Sequence, residues 1–161
     1  MQTGLTFEKF RSGDRYQTGR RTVTETDVMQ FVYLAGLFEP LFIDAEYIRD
    51  ESLFGERIAP GSLTFAMAEG LTVQTGIIHG TGMAFVGIEQ MRLFQPVKIG
   101  DTIQVEIEVL DSKKVKNRGG GIVRYRQQVR NQRGEIVMEY NISRLIRGAS
   151  QASSGDEEVS S

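Results

Sequence analysis

Residues 62–76 read SLTFAMAEGLTVQTG, and this stretch decides the fold. Leu63, Phe65, Ala66, Met67, Ala68, Leu71 and Val73 put apolar side chains on nearly every side of a helix that starts at Gly61 or Ser62. Glu69 is its only charge over the first three turns. A helix apolar all round belongs in the middle of a domain, so other elements must enclose it.

Downstream of Gly76 the chain reads as strands. MAFVGIEQMRLFQPV (83–97) is a long strand bent at Gly87, and KIGD (98–101) is a turn. In TIQVEIEVL (102–110), Ile103, Val105, Ile107 and Val109 alternate with Gln104, Glu106 and Glu108. That period of two marks one buried face and one wet face. KKVKNRGGG (113–121) reads as a basic, flexible loop. GIVRYRQQVRNQ (121–132) alternates again, with Val123, Tyr125 and Val129 against Arg124, Arg126 and Arg130. NQRGE (131–135) fits a hairpin turn before a last strand, IVMEYNISRLI (136–146). Glu106 and Glu108 are expected to face Arg124 and Arg126 across neighbouring strands. The fold class is therefore α+β, a curved antiparallel meander wrapped around a central helix.

Upstream, TVTETDVMQFVYLAG (22–36) reads as a helix. Thr24 is its N-cap, and Glu25, Thr26 and Asp27 suit the positive end of the dipole. Val28, Phe31, Val32 and Ala35 recur at helical spacing, and Gly36 ends it. LFEPLFIDAEYIRDESLFGERIAPG (37–61) is loop-like, with a short helix over Asp44–Asp50 capped by Asp44. Loops of this length inside a compact domain are often functional.

Composition bounds the rest. The 161 residues, 40% hydrophobic and 25% charged, suit one domain over residues 1–147. From Gly148 onward, GASQASSGDEEVSS is small, polar and acidic, which predicts a disordered tail over 148–161. Cysteine is absent and His79 is the single histidine, so no disulfide, thiolate site or multi-histidine metal site is expected. No apolar run reaches signal-peptide or membrane-spanning length, which predicts a cytoplasmic protein with no membrane partner. The net charge of −2 gives no reason to expect a nucleic-acid partner.

The phrases RRTVTETDVMQFVYLAG (20–36), EPLFIDAEY (39–47), FGERIAPGSLTFAMAEGL (54–71), MRLFQPVKIGDTIQVEIEVLD (91–111) and GIVRYRQQVRNQRGEIVMEY (121–140) occur in this order. The chain resembles the MaoC-like family of (R)-specific enoyl-CoA hydratases and acyl dehydratases over about residues 10 to 147. The resemblance implies a hot-dog domain, a CoA thioester substrate without further cofactor, and sites at a subunit interface. It implies a homodimer, or a heteromer with a catalytic chain of the same type. The family's catalytic phrase is G-D-x-N-P-x-H-x-D. Here it reads Gly36-Leu37-Phe38-Glu39-Pro40-Leu41-Phe42-Ile43-Asp44, so Leu37 and Phe42 replace the Asp and His. Pro60 stands where many members have a His before the helix glycine. Leu and Phe neither accept nor donate a proton, and general acid–base help is worth roughly 10²–10⁴-fold.

What the resemblance leaves in place is a backbone donor. In the family, an N–H at the start of the central helix bonds the thioester carbonyl, and Gly61 occupies that position here. Gly61, Ser62, Leu37, Phe42 and Pro60 are the candidate substrate-binding residues. Three side chains are candidate acids or bases. Glu39 sits in the critical loop, as a catalyst or as a surface or capping residue. Glu69 is the odd charge on the apolar helix, free to act or paired with an arginine such as Arg92. His79 lies in the loop IIHGTG, as an acid or base or as an exposed residue. Ser62 is read as a cap, and Lys113, Lys114, Lys116 and Arg118 as a CoA-phosphate contact or a solvated loop. Three activities follow: a hydro-lyase with a rearranged acid–base set, a non-catalytic acyl-thioester-binding subunit, and a thioesterase.

Overall fold

The computed structural model describes residues 3–149. In chain order the elements are a short 3-10 turn (Phe7–Lys9), β1 (Arg15–Gln17), β2 (Arg21–Thr22), α1 (Glu25–Ala35), α2 (Pro40–Ile43), α3 (Ala45–Asp50), α4 (Gly61–Gln74), β3 (Gly82–Leu93), β4 (Thr102–Val115), β5 (Gly120–Arg130) and β6 (Ile136–Arg147). The strands form one curved antiparallel sheet in the order β1-β4-β5-β6-β3, with β2 also on β4. The hot-dog architecture holds. Leu63, Met67, Ala68 and Leu71 of α4 share one buried cluster with Ile103, Val105, Ile107, Val109, Val123, Tyr125 and Val129 of the sheet.

The alternation of β4 and β5 is as read, and three readings need correction. First, only β4, β5 and β6 form a meander. β3 pairs with β6, because β1 and β2 occupy the free edge of β4. Second, residues 113–121 are not a loop. β4 runs to Val115 and β5 starts at Gly120, with Lys113 opposite Ile122 and Lys114 opposite Gly121. Third, the charge ladder is offset. Glu108 faces Arg126 and bonds it at 2.5 Å, but Glu106 faces Gln128 and bonds Arg130 at 2.9 Å. Arg124 faces Asp111 instead, after an irregularity between Val109 and Asp111 shifts the register.

The upstream helices form where capping chemistry places them. Thr24 Oγ1 accepts from the Asp27 N–H at 3.1 Å and Asp27 Oδ2 accepts from the Thr24 N–H at 2.9 Å, a reciprocal capping box. Gly36 takes the left-handed conformation, φ 68°, that terminates α1. Asp44 Oδ1 accepts from the Glu46 and Tyr47 N–H groups at 3.0 and 3.1 Å, which starts α3. The loop holds one further turn, α2, with Pro40 at its first position. The disordered-tail reading falls mostly on 150–161, outside the described residues. Gly148 and Ala149 are held, their N–H groups donating to Gly119 O at 2.7 Å and Glu8 Oε2 at 3.0 Å.

Candidate functional site

The residue preceding α4 is Pro60, which has no side-chain acceptor, so the first-turn N–H groups of α4 carry no side-chain cap. Ser62 lies inside that turn with its side chain exposed, and it is not the cap expected of it. Pro60 is buried and its carbonyl accepts from the Thr64 N–H at 3.1 Å. Beside Gly61 is a groove of about 250 Å³ whose wall includes Phe54, Ile58, Thr64, Leu93, Phe94 and Met138. No titratable side chain lines it. A Cβ at position 61 would lie 2.5 Å from Leu93 Cδ2, so glycine keeps the backbone open to the groove.

Leu37 and Phe42 are half-buried and pack against the core. The Leu37 N–H donates to Val32 O at 3.0 Å, and the Phe42 N–H to Glu39 O at 2.8 Å. Neither side chain is on the wall of the groove at Gly61. Glu39 is exposed at the N-cap position of α2 and its carboxylate makes no cap bond. His79 is exposed in the turn before β3, where its carbonyl accepts from the Gly4 N–H at 2.7 Å. Glu39, Glu69 and His79 are not hydrogen-bonded to one another.

Glu69 is engaged, with Arg144 rather than Arg92 as its partner. Its Oε2 pairs with Arg144 Nη2, and its Oε1 accepts from the Tyr140 hydroxyl at 2.9 Å. Tyr140 also contacts Gln127 Oε1, while Gln127 Nε2 is buried without a partner. A phenol has one proton to donate. The chemistry therefore assigns the Gln127 amide the other way round, nitrogen donating to Tyr140 and Tyr140 donating to Glu69. Burial, reinforced by the Glu69 carboxylate, pushes the Tyr140 phenol well above its ordinary range. Burial does the same to Tyr125, whose hydroxyl is buried without a partner.

Tyr140, Gln127 and Arg144 escaped the sequence reading. The signal for them was strand phase. Gln127 continues the inward set Val123, Tyr125 and Val129, and Arg144 is in step with Tyr140, Ile142 and Ile146. A glutamine and an arginine on the buried face of adjoining strands predict a polar partner from the enclosed helix.

Among the described residues no cluster of His, Cys, Asp or Glu could hold a metal ion, and no helix is long and apolar enough to cross a membrane.

Comparison with known proteins agrees with the fold. Residues 9–131 match the family model described as MaoC like domain. Over 101 residues, 63% of this chain, there is 40% identity to protein MaoC of Klebsiella aerogenes, but that stretch spans only 29% of the Klebsiella protein. A solved structure called a monoamine oxidase regulatory protein, from Archaeoglobus fulgius, superposes with a TM-score of 0.84 at 36% identity, covering 92% of this chain and 97% of that one. The MaoC-like dehydratase of Rhodospirillum rubrum superposes with a TM-score of 0.79 at 31% identity, covering 90% and 98%. With a central helix wrapped by a curled sheet and the family match running through both, this chain belongs to the MaoC-like dehydratase family.

Proposed function

We propose that this chain binds the acyl group of a CoA thioester at the start of α4 and does not itself supply the acid and base of hydration. The observation that carries this is the groove at Gly61, where an uncapped helix start opens onto a wall without a titratable side chain. The free N–H groups and the helix dipole offer positive potential to a carbonyl oxygen. The apolar wall suits an acyl chain. Leu37 and Phe42, standing where the family resemblance implies an Asp and a His, leave the loop inert toward protons. Such a chain works as the binding half of a cytoplasmic oligomer, paired with a copy of itself or with a relative that keeps both groups. No cofactor beyond the ligand's own CoA is needed.

The test is direct. Enoyl-CoA and 3-hydroxyacyl-CoA thioesters should bind the purified chain without being converted. Gly61→Pro deletes one N–H while suiting the first position of a helix, and should weaken binding roughly tenfold. Gly61→Ala adds the same Cβ against Leu93 but keeps the N–H, so it isolates the donor's share. Equal binding by the two variants would remove the donor from the argument.

A second reading, a hydro-lyase with a rearranged acid–base set, has one observation in its favour. Glu69 and Tyr140 form a carboxylate–phenol pair two turns along α4 from Gly61. Turnover abolished by Glu69→Gln would establish it over the binding role. The thioesterase reading needs a carboxylate at the start of the helix, and none lines that groove.

A further inference from the structure

We propose that the seam between α4 and β6 receives the far end of the acyl group, and that this end carries a carboxylate. The inference rests on the thioester-binding reading of Gly61 and names its substrate class. Gly61, Phe65 and Glu69 recur every four residues and share one face of α4. Their neighbours on β6 follow in step. Met138 lines the groove with Gly61, Tyr140 meets Phe65 edge-on with ring centroids 5.1 Å apart, and Arg144 pairs with Glu69. One end of the seam is an uncapped helix start and the other is a buried cation. Arg144, only 8% exposed, also lines a second cavity of about 210 Å³ with Ile78, Met83 and Phe85.

The cluster around Arg144 has donors in surplus. A guanidinium carries five N–H donors and no acceptor. Glu69 accepts from Nη2, while Nε is buried without a partner. The Tyr125 hydroxyl is buried and unpartnered as well. Both oxygens of Glu69 are already engaged, by Tyr140 and by Arg144. A methyl-ended acyl chain would leave these groups unsatisfied in a site drained of water, which is costly. A carboxylate supplies two acceptor oxygens in the geometry that a guanidinium matches.

Helical rise sets the ligand's length. Eight residues from Gly61 to Glu69 span about 12 Å along the axis. Hydrogen bonds of about 3 Å at each end leave roughly 6 Å between the two carboxyl groups, the reach of a chain of roughly five carbons. That chain passes over the half-buried face of Phe65.

The test compares pentanedioyl-CoA with pentanoyl-CoA, titrated calorimetrically into the full chain. The diacid thioester should bind at least tenfold more tightly. The preference should vanish in the double variant Glu69→Met/Arg144→Met, which removes both charges together and leaves neither stranded. If that variant does not fold, Glu69→Gln reads the same contact. Removing the competing anion should raise the preference for the diacid thioester over pentanoyl-CoA severalfold. Equal binding of the two ligands by the unaltered chain overturns the carboxylate inference and leaves the thioester reading standing, as does a Glu69→Gln variant with an unchanged ratio. If neither ligand binds, the thioester reading itself fails and this inference with it.

Discussion

At the scale of single residues, the polar triad of Glu69, Tyr140 and Arg144 matters more than its size suggests, because it is nearly dry. The Arg144 side chain is 10% exposed and that of Glu69 16%. Breaking such a pair from one side strands the other charge, so Arg144→Met should cost roughly 3–5 kcal/mol of stability. Glu69→Met should cost a similar amount. The double replacement should cost far less than the sum of the two, since no charge remains to be solvated. Urea unfolding of the four proteins at one pH measures this, and additive losses would show that the charges do not feel each other. Glu69 was legible as the odd charge on the helix because it is chemically conspicuous. Arg144 was not, because it sits among the many arginines of two strands and only its phase sets it apart. Glu39 and His79 were conspicuous too, and the structure leaves both exposed. Rarity of a residue type marks candidates; burial and partners sort them.

At the scale of elements, strands with one wet face were readable because their alternation is local. The β4–β5 hairpin was misread where alternation stops, since Ser112, Lys113 and Lys114 are all exposed and look like a loop. The glycines there serve close approach rather than flexibility. A Cβ at Gly120 would lie 2.0 Å from Ile146 O, and one at Gly121 would lie 2.3 Å from the Phe7 ring and 2.6 Å from Lys113 O. The ring can swing aside but the Lys113 carbonyl cannot, so both positions press on sheet backbone and position 120 presses closer. Gly120→Ala should therefore cost more stability in urea unfolding than Gly121→Ala, the latter roughly 1–3 kcal/mol. The turn before β4 carries a pH dependence of its own. Asp101 is buried, which raises its pKa, but bonds from the Gln132 side chain and the Lys98 N–H, with Arg133 nearby, outweigh this and hold it below the usual carboxylate range. A depressed folded-state pKa gives stability that is fully present above the unfolded value, near 4, and is lost as pH falls through the folded one. Asp101→Asn should cost roughly 2 kcal/mol at pH 7. The gap between variant and parent should narrow below about pH 4, and a constant gap across the acid limb would exclude the carboxylate as its source.

At the scale of the whole molecule, the two edges of the sheet are built differently. One ends in β1, three residues long, with Arg15 against Glu108. The other ends in β3, twelve residues long and paired only with β6. Short, charged edges resist further pairing, and long apolar ones invite it. Met83, Phe85, Val86, Met91 and Leu93 are all exposed on β3, with Phe94 just beyond it. No local pattern in the sequence marks this edge, because which strand ends a sheet depends on pairings tens of residues apart. The groove at Gly61 is itself walled by Leu93 and Phe94, so a partner seated on this edge would close over the proposed thioester site. We expect the chain to sediment as a dimer or larger assembly at micromolar concentration. Val86→Lys, at a bulge midway along the edge, should release monomers with an unchanged far-ultraviolet spectrum, because the side chain is 51% exposed and its loss leaves the core intact. The same variant should bind acyl-CoA more weakly if the partner completes the site. A parent chain that is monomeric at these concentrations would leave β3 as a bare edge and the groove as an open, single-chain pocket.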